Sequence, residues 1–330
     1  MLRGCGSDTI ILRKEVQQKM TVLQLTCKLI LFIAVGFAAR KLKVMADGFD
    51  KMLSKFLMAI PLPCMIINSF HIEYSVEYLL NAPILIGLSI GSMAVLFLLT
   101  TLATKRMKNE DLRKTVRFSL MFTNFTFLGL PVVSELYGSE AVFSYVIFTL
   151  PIRVMFYGGA AVMLGKGGEK INVRETIKKF LCEPVVAVLI GFLLYVTRIE
   201  LPEVLQSAIT TLGNMASPLG LLLCGTIIAD ADWRGILKQP AAIVVAILRL
   251  TLVPAFAVAL FWLIGLDHAL IRYTMYYFAM PVASFVPTFL LRYNPGAAEA
   301  RVTAGYMVVI STLLCVLSIP GWTLLLDAIL

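Results

Sequence analysis

TNFTFLGLPVVSELYG, residues Thr123 to Gly138, sets an asparagine, two threonines, glycines and a proline inside a long apolar segment. Pro131 lacks the amide hydrogen that a helix interior needs, and its ring collides with the carbonyl four residues earlier. Gly129 adds backbone freedom ahead of it. Lipid offers no water to carbonyls released by such a break, so the break must face protein or a wet cavity. The stretch reads as a broken membrane helix lining a substrate site.

The rest of the chain supports a membrane setting. Hydrophobic residues make up 59% and charged residues 15%, against about half and a quarter in soluble domains. This composition belongs to polytopic membrane proteins. The net charge of +9 resides in short loops between apolar runs. That placement fits membrane orientation and excludes nucleic acid as a partner. The six cysteines are scattered without a CxxC pair and read as packing residues, so no metal or other cofactor is expected.

Ten candidate spans of roughly twenty residues cover 22–40, 52–70, 82–104, 116–136, 140–164, 180–197, 204–229, 240–264, 272–291 and 302–326. Lys and Arg cluster after the odd-numbered spans, as in Arg40, Lys41 and Lys43 or Lys105, Arg106 and Lys108. The intervening loops, among them SELYGSEA, are nearly free of them. The positive-inside rule then makes the odd-to-even loops cytoplasmic and places both chain ends outside. Residues 1–19 form a basic tail that opposes this orientation; Met20 opens a natural alternative start.

Ten spans with both ends on one side divide into two sets of five. Duplication of an odd-numbered set inverts its topology. The first repeat is expected over 20–165, a basic linker over 166–179 and the second repeat over 180–330. Proline interruptions recur at matching places: IPLP in the second span and MASPLG in the seventh, GLP in the fourth and MPVASFVP in the ninth. Such pairs point to a transporter site. Pro131, Pro281 and Pro287 are the expected break positions.

Asn124 and Thr126 supply hydrogen-bonding groups at the first break, and Ser284, between Pro281 and Pro287, mirrors them at the second. A half-helix starting after Gly129 would aim unpaired amides at a bound anion. Asn124 could equally serve as interhelical glue. Arg153, in mid-span, costs about 2.5–3.5 kcal/mol at the bilayer centre unless it is partnered. It reads either as a contact for a substrate carboxylate or as a structural cation bonded to carbonyls freed at a break. Arg249 and Lys28 read as snorkelling or packing side chains, and GLSIG at 87–91 as a helix-packing seam. The spans lack mid-membrane carboxylates, which favours an anionic or neutral substrate over a cation.

NFTFLGLPVVSELYG at 124–138, CEPVVAVLIGFLLYV at 182–196, ASPLGLLLCGTIIA at 216–229, MPVASFVPTFLLRYN at 280–294 and STLLCVLSIP at 311–320 together resemble the auxin efflux carrier family of membrane permeases, with its bacterial malate or malonate permease-like branch the closer likeness. The resemblance implies an all-α fold of ten helices in two inverted five-helix repeats, with the broken fourth and ninth helices crossing at the substrate site. It further implies a scaffold of spans 1, 2, 6 and 7, a transport domain of the others, and elevator-like alternating access. Asn124 matches the asparagine that contacts substrate carboxylate, and Pro131 and Pro281 match the crossover prolines. Pro151 and Arg153 in TLPIR depart from the neutral polar residues of plant members.

The expected function is secondary transport of a small organic anion, a carboxylate, by a multi-pass protein of the cell membrane. Substrate contacts are assigned to Asn124, Thr126, Gly129, Arg153 and Ser284. Lipid and a second copy in a homodimer are the other expected partners. A carrier of neutral solutes or amino acids is the alternative, followed by a transport-dead sensor. Enzymatic activity is not expected, because His71 and His268 lie near outer loops and no HExxH or GxGD-like motif occurs.

Overall fold

The computed structural model describes residues 24, 27–46, 48–165, 183–230, 233–236 and 238–330. The tail expected over 1–19 and the linker expected over 166–179 lie outside the described residues. Among the described residues every regular element is helical, and the extended pairing is a single antiparallel bridge between Thr123 and Val282.

Helix α1 covers 27–41. Helices α2 (Phe49–Ala59) and α3 (Pro61–Ser69) join at Ile60, with Pro61 in the first turn of α3, where its missing amide breaks no bond. Helix α4 (Val76–Thr104) starts at Ser75, whose hydroxyl accepts the Glu77 amide. Helix α5 (Glu110–Met121) is capped by Asn109 in the same manner. The chain extends through Phe122, makes a wide π-type turn over Phe125–Gly129, and continues as α6 (Leu130–Leu164).

Helix α7 spans Glu183–Thr197. Helices α8 (Glu203–Asn214) and α9 (Ala216–Ala229) join at Met215. After the single turn α10 (Trp233–Ile236), α11 (Pro240–Leu250) and α12 (Leu252–Leu263) join at Thr251. Helices α13 (His268–Ala279) and α14 (Val286–Tyr293) flank a second extended stretch, and α15 (Ala298–Ile329) follows.

Among the described residues six helical runs are long and apolar enough to cross a membrane: Phe49–Ser69, Val76–Thr104, Phe125–Leu164, Glu203–Ala229, Pro240–Leu263 and Ala298–Ile329. Several expected spans fall outside this set for identifiable reasons. The segments expected at 116–136 and 272–291 are cut into short halves by the extended stretches. Those at 22–40 and 180–197 are described only in part.

The 40-residue run Phe125–Leu164 would measure about 60 Å if straight, twice the hydrocarbon core of about 30 Å. It instead kinks at Gly138, whose φ of 76° and ψ of −166° lie where side-chain-bearing residues are strained. This kink falls in SELYGSEA, the loop expected between two spans.

Close backbone contacts lock the helices. A Cβ on Gly225 would stand 2.1 Å from the Ile33 carbonyl oxygen, and one on Gly36 2.2 Å from that of Leu222. Helices α1 and α9 therefore touch backbone to backbone, as small residues permit in membranes. The seam expected at 87–91 is different. A Cβ on Gly87 or Gly91 would meet nothing within 4 Å, so among the described residues no helix packs closely on these two glycines.

Helices α2, α3, α7 and α8 pack largely on one another and α4, α5, α6 and α11–α15 form a second group, with α9 between them, against α2 on one side and the π turn, α6 and α15 on the other. The two groups meet where α9 lies against the π turn and α3 against α6. Gly138→Ala should cost about 1–3 kcal/mol, read as a lower melting temperature in detergent. Gly87→Ala should leave the melting temperature equal or higher, because alanine is the better helix former.

Candidate functional site

The two extended stretches cross and pair. Asn124 donates its backbone N–H to the Pro281 carbonyl at 2.8 Å, and Ala283 donates to the Phe122 carbonyl at 3.2 Å. Four helix ends therefore converge at one place: the C-termini of α5 and α13, and the N-termini of the π turn and α14. Each helix end leaves backbone groups without intrahelical partners. In an apolar interior these groups must find others.

Arg249 supplies most of them for the two C-termini. It is fully buried on α11. Its Nη1 donates to the Leu120 carbonyl at 2.7 Å, its Nη2 to that of Tyr277 at 3.1 Å and its Nε to that of Met280 at 3.4 Å. The Tyr277 hydroxyl donates to the Met121 carbonyl at 2.8 Å, and the Ser311 hydroxyl accepts the Val282 N–H at 3.0 Å. A positive charge at two helix C-termini also complements their dipoles. The expectation that Arg249 snorkels is thus corrected. Arg249 performs the carbonyl capping that was also considered for Arg153.

The N-terminal side of the crossing holds the expected binding residues. Asn124 caps the π turn, its Oδ1 accepting the Phe127 amide at 3.3 Å while its backbone carbonyl accepts from Leu128 and Gly129. Its Nδ2 donates to Ser284 Oγ at 3.1 Å and faces Cys224 Sγ at 3.9 Å. Arg153, fully buried on α6, donates from Nη1 to Thr126 Oγ1 at 3.1 Å, and its guanidinium carbon lies 4.8 Å from the centre of the Phe125 ring. Asn124, Thr126, Arg153 and Ser284 are therefore brought together. Asn124 and Thr126 are only 4% and 6% exposed, while Ser284 is half-buried.

Gly129 sits nearby in a packing role. A Cβ there would fall 2.2 Å from the Tyr145 hydroxyl, which itself donates to the Phe125 carbonyl at 3.3 Å. The expectation that Pro287 breaks a helix also needs correction. Pro287 occupies the second position of α14, where a missing amide is harmless, and marks a helix start. Pro131 lies where the π turn runs directly into α6, inside a helical run. Pro281 alone lies in an extended stretch. The half-helix begins at Asn124 rather than after Gly129.

Pro131 has a local effect there, because it cannot donate to the Phe127 carbonyl. That oxygen lies against Gly220, where a Cβ would stand 2.4 Å away. Two further residues escaped the sequence reading. Tyr277 looked like one apolar aromatic among several. Glu135 was placed in an outer loop, whereas it lies on α6 and pairs with Lys28 Nζ at 2.6 Å. Lys28 is thus an ion-pair partner rather than a snorkelling side chain.

Irregular backbone buried at the meeting of broken helices, beside several membrane-length helices, is the layout of a solute carrier. Comparison with protein families agrees: the family described as membrane transport protein matches residues 21–323, and the chain belongs to this auxin efflux carrier-like family. None of the curated proteins compared with the chain matches it.

Each carbonyl left without a donor in the interior costs about 1–3 kcal/mol. Arg249→Met strands three of them and should abolish the monodisperse peak in detergent size-exclusion chromatography. Arg153→Gln keeps a hydrogen-bonding side chain beside Thr126 and should still yield folded protein.

Proposed function

We propose that this membrane transport protein carries a small organic anion, a carboxylate, and binds it at the crossing of the two breaks. The observation that carries the reading is the sign of the buried charge. Among the described residues the buried charged side chains are Arg153 and Arg249, both cationic. The N-terminal ends of the π turn and of α14 add partial positive charge at the same place. Asn124 Nδ2 and Ser284 Oγ would hold the carboxylate oxygens, and Arg153, hydrogen-bonded to Thr126, would balance the charge.

Alternating access would be elevator-like, with α4–α6 and α11–α15 moving against α1–α3 and α7–α9. The two packing groups support this division, as does the backbone-tight contact between α1 and α9. Ten spans in two inverted repeats fit the correspondence between the α5/α6 break and the α13/α14 break, each followed by a proline. The hinges at Ile60 and Met215 match in the same way. Both chain ends would face outside a cell membrane.

A second reading has its own support. The bond from Arg153 to Thr126 and its contact with Phe125 suit a structural cation, leaving Asn124 and Ser284 for a neutral solute or amino acid. Proteoliposomes loaded separately with labelled malate, malonate, lactate, indole acetate and neutral amino acids distinguish the two. The anion reading expects carboxylate uptake; movement of neutral solutes alone overturns it. Asn124→Ala should weaken uptake at least ~10-fold, equivalent to losing about 1.4 kcal/mol, with expression unchanged. Arg153→Gln should impair carboxylates more than neutral analogues, and equal losses favour the structural role.

A further inference from the structure

About three helical turns beyond Asn124, an open crevice of about 170 Å³ lies between α3, α6 and the α8–α9 joint. Its polar wall includes Ser134, Glu135, Ser139, Asn214 and Ser217, and Glu135 is the charged member among the described lining residues. Ser217 Oγ donates to Glu135 Oε1 at 3.4 Å, while the other carboxylate oxygen holds Lys28 Nζ at 2.6 Å. Asn214 lies on the same wall, at the end of α8.

We propose that this crevice is a binding site for a monovalent alkali cation, sodium-like in size, that exchanges with the Lys28 ammonium. The carboxylate and the serine hydroxyls beside it are oxygen donors of the kind that hard cations prefer. The end of α8 adds the partial negative charge of a helix C-terminus. One carboxylate neutralised by one lysine fixes the valence, since replacing Lys28 with a singly charged ion leaves the local charge unchanged. The Glu135 and Lys28 side chains remain 28% and 46% exposed, so a hydrated ion can reach the pair and displace it. The crevice has room for several waters to complete the shell.

The site also bears on movement. Lys28 and Ser217 belong to α1 and α9, and Glu135 to α6, so the ion would replace a tie between elements on the two sides of the proposed division. Ser217, Gly220 and Cys224 line one face of α9 and touch Glu135, Phe127 and Asn124 in turn. A cation at Glu135 would thereby sit on the same helical seam as the crossing.

The test uses the purified full chain in detergent without organic substrate, so its outcome is independent of the anion reading. Melting temperature and binding of radioactive sodium are measured in sodium chloride against choline chloride at equal ionic strength. Sodium should stabilise the wild type. Lys28→Met, which removes the competing ammonium, should bind sodium about ten-fold more tightly, the factor for about 1.4 kcal/mol. Glu135→Gln should lose the effect, and Ser217→Ala, which spares the ion pair, should weaken it. Equal melting in sodium and choline for both wild type and Lys28→Met overturns the proposal, as does a sodium effect that survives Glu135→Gln.

Discussion

One buried guanidinium holds the two broken helices together. Arg249 reaches the carbonyls of Leu120, Tyr277 and Met280, which belong to helices far apart in the chain. A helix that stops inside an apolar protein exposes carbonyls that nothing nearby can satisfy. Two such ends placed side by side would also oppose each other electrostatically. A single cation with a fork of donors answers both problems. The crossing of the breaks, the position of Asn124 and the start of α6 all depend on it.

The breaks were legible in the sequence because proline, glycine and asparagine punctuate apolar runs that otherwise favour continuous helix. The turn at Gly138 was legible for the same reason. The exact gap was not, because proline is excluded from a helix interior yet welcome in its first turn. A proline after an apolar run therefore marks either a gap or the start beyond it. Pro287 marks a start, whereas Pro131 lies where the π turn passes into α6.

The roles of the buried cations were harder to read, since local context gives only depth. Arg249 stands near the end of an apolar run, where snorkelling is the common outcome, and its partners lie 28 to 129 positions away. The Lys28–Glu135 pair joins positions 107 apart. By contrast, Asn124 and Ser284 were found from the breaks themselves, and the structure sets them 3.1 Å apart. Residues tied to a local backbone irregularity could be found; those tied to distant partners could not.

The hydrogen bond from Asn124 to Ser284 has a consequence for the energetics of occupancy. The amide of Asn124 is already satisfied when nothing else is bound. A guest carboxylate that takes this amide would displace Ser284 and exchange a neutral hydrogen bond for a charge-assisted one, about twice as strong. The gain from that contact is the difference between the two bonds, and the amide also fixes orientation. Departure would be eased because the serine is at hand to take the amide back.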